Sequence, residues 1–248
     1  GDENLEVVFL LNGVLNIVGH DGTLLYSTSL GTSFRYLNVL SDIDSDDKLE
    51  IAIGSASRTV YIYDGECNLL KTFTTPSGVD SSIPIHMANG KIWIAHGGSG
   101  TSRGVSLYDI AAQSQDWQYG TGFRPSYNSQ GVADLDGNGS FSAVVPSGTV
   151  HNGVTNNGTD DGNLWVVIIN EDGTGRVSRK LNDANIDGVF RPLFFDAGND
   201  GSIEVLGLEQ HGPTYYTGTS KAHIIDSDTG AVQNTYSIGS NEYSFFAT

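Results

Sequence analysis

Three aspartates alternate at Asp42, Asp44 and Asp46, and Glu50 follows four residues later. A tightly turning loop can point every second carboxylate inward, the backbone carbonyl at Lys48 fills the next position, and Glu50 closes the shell. A hard cation such as Ca²⁺ takes about six to eight oxygens, so this spacing suits calcium. Two imperfect copies follow. One has Asp134, Asp136 and Asn138, a carbonyl position at Ser140 and Ser142 at the close. The other has Asp196, Asp200, Ser202 and Glu204, with Gly198 in place of the middle carboxylate. Calcium is the expected cofactor at all three.

Each loop runs into an apolar strand, as in EIAIG after Glu50, and further alternating runs follow, such as VYIYDGECNLLKTF and AHIIDSDTGAVQNTY. Period-two alternation rich in Val, Ile and Tyr, punctuated by DG and TG turns, is strand and hairpin chemistry. No window of helical length carries a comparable 3.6-residue apolar period. The expected class is all-β. Taking Glu6, Glu50, Lys91, Ser142 and Glu204 as the first residues of equivalent strands, the steps are 44, 41, 51 and 62 residues. Periods of this length with about four strands each mark a β-propeller.

Five blades are expected, in one propeller domain over residues 1–248 that can also be one module of a larger protein. Apolar strands precede the acidic loops, as in FRYLNVLSD, SQGVAD and FRPLFFD. The C-terminal NEYSFFAT is such a strand with no loop after it, and the N-terminal DENLEVVF is a loop end with no strand before it. Pairing the two ends closes the ring and leaves no open sheet edge. The rival reading is a piece of a larger ring.

The DxDxDxxxE loop entering an EIAIG-type strand, followed by VYIYDG, resembles the FG-GAP or VCBS repeats of integrin-type propellers, which also occur in secreted bacterial propellers. The likeness covers most of the chain as repeats, and the Asp42 loop matches the motif best. The resemblance implies calcium there and an extracellular setting. At the sixth loop position, where that family usually has Gly, this chain has Asp47. In the third repeat, SIPIHMANGKIWIA, the strands remain and the acidic loop is gone.

With 29 acidic and 12 basic residues the net charge is −17, which argues against nucleic acid or anionic membrane as partner. The single Cys67 excludes an internal disulfide. The longest apolar runs, such as LWVVII, are too short to insert in a membrane as a helix. Gly1, with no initiating Met or leader-like segment, reads as a processed or engineered start. A secreted or cell-surface monomer is expected.

In a propeller the acidic loops and DG turns share one face, and the second-to-third-strand loops share the other with the crossovers. On that other face three long loops carry His96, His151 and His211, and the crossovers carry Phe34–Arg35, Phe123–Arg124 and Phe190–Arg191. Aromatic faces stack on sugar rings and guanidinium forks grip carboxylate or sulfate. Arg35, Arg124, Arg191, His96, His151, His211 and Tyr215 are therefore candidate ligand-binding residues. Packing residues that satisfy strand ends are the plainer alternative.

Three functions follow. The first is a calcium-stabilised module binding carbohydrate, including acidic glycans, or a protein partner. The second is a lyase on a uronate-containing glycan, with Arg191 as neutraliser, His211 as base and Tyr215 as acid, or with the three histidines on one metal. The third is a glycosidase, which rests on fold analogy alone.

Overall fold

A computed structural model of the protein describes residues 6–31, 34–43, 46–98, 102–125, 130–148, 152–182, 192–196, 198–209 and 219–240. Among the described residues, 22 strands form five larger sheets and one two-stranded hairpin. The pairings described are all antiparallel, so the all-β expectation holds.

Sheet one contains β1 (Val7–Leu11), β2 (Val14–Val18) and β3 (Leu24–Ser29). Sheet two contains β4 (Phe34–Ser41), β5 (Glu50–Ser55), β6 (Thr59–Tyr63) and β7 (Leu69–Thr74). Sheet three contains β8 (Val79–Ala88), β9 (Lys91–Gly98), β10 (Gly104–Asp109) and β11 (Ser114–Gly120). Sheet four begins with two short pieces, β12 (Arg124–Pro125) and β13 (Gly131–Ala133), both paired to β14 (Ser142–Gly148). The small hairpin β15 (Thr155–Asn156) and β16 (Thr159–Asp160) follows, and then β17 (Leu164–Asn170) and β18 (Gly175–Asn182) complete the sheet. Sheet five contains β19 (Leu193–Phe195), β20 (Glu204–Glu209), β21 (Thr219–Asp226) and β22 (Val232–Ser240).

Strands in each sheet are ordered as in the chain. Those starting at Glu50, Lys91, Ser142 and Glu204 all fall second, as their spacing predicts. Among the described residues, sheet one shows three strands, with no counterpart of β4, β8, β13 and β19. The segment expected to supply it, 241–248, lies outside the described residues.

The chain forms two compact units, Gly1–Gln118 and Tyr119–Thr248. In the first, β5 of sheet two is buried along its whole length, which is why EIAIG is apolar at successive positions rather than alternating. Ala52, Val60, Ile62 and Phe73 pack against Met87, Ile92, Ile94 and Tyr108 of sheet three. Ile51, Ile53 and Tyr63 pack the other way, against Leu15 and Ile17 of sheet one. In the second unit, Val144, Val166, Ile168 and Val177 of sheet four meet Val205 and Ile225 of sheet five. Each buried Val or Ile contributes about 1.5–3 kcal/mol.

Two-residue turns with both φ angles positive are the type I′ hairpins whose twist matches that of the strands. They occur at Asn12–Gly13, Asn89–Gly90 and Asn157–Gly158. Asn89–Gly90 joins the first and second strands of sheet three, where sheets two, four and five carry an acidic loop. That explains the missing motif in SIPIHMANGKIWIA. Asn157–Gly158 builds a hairpin inside a segment expected to be an open loop. The hairpin sits on the segment between β11 and β12: Asn157 Nδ2 donates to Gly120 O at 2.9 Å, and Gly122 N donates to Thr159 Oγ1 at 2.8 Å.

Candidate functional site

In their described residues the three acidic loops share one hydrogen-bond pattern. In each, the first aspartate accepts a hydrogen bond from the backbone N–H five residues on. The pairs are Asp47 N to Asp42 Oδ2 (3.2 Å), Gly139 N to Asp134 Oδ2 (2.8 Å) and Gly201 N to Asp196 Oδ2 (2.8 Å). The fifth side chain then accepts from the seventh N–H: Lys48 N to Asp46 Oδ1, Ser140 N to Asn138 Oδ1 and Ser202 N to Asp200 Oδ1, all at 2.8–2.9 Å.

The sixth residue is left-handed in every copy, with φ +65° at Asp47, +87° at Gly139 and +89° at Gly201. Asp47 is thus the non-glycine occupant of a glycine position, tolerated because a short polar side chain enters this region more easily than most. Backbone donors, Gly139 and Gly201 foremost, hold the Asp134 and Asp196 carboxyls below the usual range. The second residue anchors the turn: Leu135 is buried in the core of sheets four and five, and Ile43 packs on that of sheets two and three.

At the closing position Glu50, Ser142 and Glu204 are 2, 5 and 5 % exposed. Ile43 N donates to Glu50 Oε2 at 2.8 Å. A carboxylate taken from water at this depth carries a large desolvation cost unless it is paired.

Among the described residues no group of three or more His, Cys, Asp or Glu side chains is gathered into a ready cage. Asp44, the middle carboxylate of the best motif, lies outside the described residues. The donor chemistry of the Asp42 loop nevertheless fits calcium. Asp42, Asp46, Glu50 and the Lys48 carbonyl are all hard oxygens, and the turn frame holds the two aspartates in one loop.

The Asp134 loop fits less well, because Asp136 is held by Arg176 of β18. Arg176 Nη1 donates to Asp136 Oδ2 at 2.9 Å and Nη2 to Asp136 Oδ1 at 2.7 Å, and Nη2 also reaches Asp228 Oδ1. Beside it lies a polar cleft of about 380 Å³ between the loop and the β17–β18 turn, walled by Asn138, Ser140, Phe141, Asn170, Glu171 and Asp172. The cleft places a first-to-second and a third-to-fourth connection on one edge of sheet four, as the propeller reading expects. At the Asp196 loop, Asp200 and Glu204 are present and Gly198 supplies no side-chain donor.

Of the expected ligand-binding residues, His151, Arg191, His211 and Tyr215 lie outside the described residues, as does the Arg35 side chain. The structure corrects the placing of His96 on a loop. β9 runs on to Gly98, so His96 is a strand residue, 0 % exposed, with Nε2 3.0 Å from Ser106 Oγ. It is enclosed and cannot meet a ligand from solution. Arg124 opens β12, half-buried, with its backbone paired to Gly148, and its neighbour Phe123 is fully buried. That pair is strand and core rather than free crossover.

Two arginines that the sequence did not single out satisfy backbone carbonyls. Arg58 donates to Thr75 O and Pro76 O, and the fully buried Arg103 donates through Nε to Gly98 O at 2.7 Å.

Burial pushes the His96 pKa down to about 4. The unfolded chain takes up this proton near pH 6.5 and the folded chain only near 4. Between these values the unfolded state binds more protons, so stability is lost as the pH is lowered from 6.5 to 4, by about 3 kcal/mol. Burial shifts His86 the same way. Denaturant unfolding at pH 6.5 and 4 should show this loss, and His96→Gln should remove most of it. A wild-type protein equally stable at both would contradict a buried neutral histidine.

The sequence matches no protein-family model, and no curated protein is similar to it by sequence. Solved structures do resemble it in fold. A quinohemoprotein alcohol dehydrogenase from Comamonas testosteroni superposes at TM-score 0.62 and 11 % identity over 93 % of this chain and 42 % of its own. BamB from Moraxella catarrhalis gives 0.58 and 13 % over 94 % of this chain and 61 % of its own. The Dos1 propeller gives 0.57 and 14 %, over 98 % and 59 %. The fold is of the β-propeller type, and at these identities the likeness speaks to fold alone. The chain spans about four to six tenths of the length of these structures.

Proposed function

We propose that this chain is a calcium-stabilised, five-bladed β-propeller acting as a monomeric ligand-binding module of a secreted or cell-surface protein. Its ligand is a carbohydrate, acidic glycans included, or a protein partner. One observation carries the metal part of the reading: an identical turn recurs at the same place in three sheets, and one copy keeps carboxylates or carbonyls at every motif position. The three-stranded first sheet supports closure by residues 241–248, which would provide its missing inner strand. Calcium here fastens the loop between β4 and β5 and offsets the repulsion among its carboxylates, with no chemical step assigned to it. The FG-GAP or VCBS resemblance points the same way.

The ligand face in this reading is the edge opposite the acidic loops, for which Arg35, Arg124 and Arg191 are the candidates read from the sequence. Retention on immobilised uronate-rich glycan in calcium buffer tests it. Replacing all three arginines by Ala should weaken retention by roughly tenfold or more while the protein still melts cooperatively, because each charge-assisted hydrogen bond removed costs about 1.5–3 kcal/mol. Retention unchanged in that variant removes this face as the site.

A further inference from the structure

The acidic loops differ in what stands over them. In the four sheets whose third and fourth strands have a described register, the pairing slips by one residue at the same place. Ile17 pairs Tyr26 and Val18 pairs Leu24; Ile62 pairs Lys71 and Tyr63 pairs Leu69; Ile168 pairs Val177 and Ile169 pairs Gly175; Ile224 pairs Asn234 and Ile225 pairs Val232. A bulge of this kind re-aims the extra residue. The extra residues are Leu25, Leu70, Arg176 and Gln233. Only in sheet four is that residue a cation, and there it makes the two-pronged contact with Asp136, the third position of the acidic motif. In sheet two, whose loop has the full complement of acids, the position is Leu70, 42 % exposed.

We infer that Arg176 takes the place of the metal ion in the Asp134 loop, so that this repeat is neutralised from within and sets without calcium. The guanidinium matches a carboxylate in two parallel hydrogen bonds and stays charged at any pH the fold meets. Because it also reaches Asp228, in the turn between β21 and β22, it ties sheet four to sheet five as well as closing its own loop. Asn138 and Ser142 at the fifth and ninth positions fit the same account, since a loop already holding a cation has no use for two more carboxylates.

The inference rests on the calcium reading of the Asp42 loop for its contrast, and the experiment separates the two. Bound calcium per chain is measured by equilibrium dialysis for the full chain and for Asp46→Asn, Asp136→Asn and Arg176→Gln, each melted in calcium and in chelator. Asp136→Asn should leave the count unchanged. Arg176→Gln should gain about one ion, melt lower than wild type in chelator and recover in calcium. Loss of an ion in Asp136→Asn, or a folded Arg176→Gln that gains none, overturns the inference. Should Arg176→Gln not fold, the Asp136→Asn count decides it alone. A wild type that binds no calcium, with Asp46→Asn no different, defeats the reading of the Asp42 loop, and the gain or its absence in Arg176→Gln then decides this one.

Discussion

Stripping calcium from the full chain should lower its melting temperature by about 5–10 °C, and Asp46→Asn should remove most of that difference. The size follows from mass action. A ligand at a hundredfold excess over its dissociation constant stabilises by about 2.7 kcal/mol, and for a domain of this size each kcal/mol moves the midpoint by roughly 2–4 °C. Asn at position 46 keeps an amide oxygen to accept the Lys48 N–H, so the turn frame survives while a charge leaves the shell. The effect should therefore be confined to calcium buffer. Equal melting temperatures in calcium and chelator would remove the metal from the account.

Gly54→Ala is expected to destabilise by about 3 kcal/mol, at the upper end for overpacking, or roughly 6–12 °C. A Cβ at Gly54 would lie 2.0 Å from Ser82 O and 2.8 Å from Pro84 Cδ. Both belong to β8, so β5 of sheet two and β8 of sheet three approach as closely as a bare glycine allows. Neither obstacle is the tip of a flexible side chain, so relief requires the sheets to move apart and loosens Ala52, Ile62, Met87 and Ile94 between them. Thermal unfolding of the single variant is sufficient. A midpoint within a degree or two of wild type would mean that these sheets are not packed face to face.

Much of the architecture was legible because its signals are local. The starts of β5, β9, β14 and β20 fall at Glu50, Lys91, Ser142 and Glu204, where the step between loop and apolar run placed them. The spacing of the first and fifth loop side chains foretold a like turn in three copies, because those side chains bond their own loop's backbone. Even the loss of the loop in sheet three has a local cause, the Asn89–Gly90 hairpin.

What escaped the sequence depends on register and on neighbouring sheets. His96 looked like a loop histidine because the glycines after it suggested a turn, but β9 continues through Gly98 and encloses it. Arg176 carried no motif. Its role comes from a one-residue slip between β17 and β18 that aims it at Asp136, forty residues earlier in the chain. The β15–β16 hairpin did announce itself, in Asn157–Gly158, and was hidden only by the length of the polar segment around it. The arginines show the limit most plainly: Arg58 and Arg103 serve backbone carbonyls, a role that residue type cannot distinguish from ligand binding.

Calorimetric titration of calcium into the chelator-treated full chain tests the central claim most directly. The account predicts saturable binding, with a dissociation constant of about 10⁻⁴ to 10⁻³ M as in extracellular modules, and its loss at the tightest site in Asp46→Asn. A titration that shows no binding in wild type, or a curve that Asp46→Asn leaves unchanged, would contradict it.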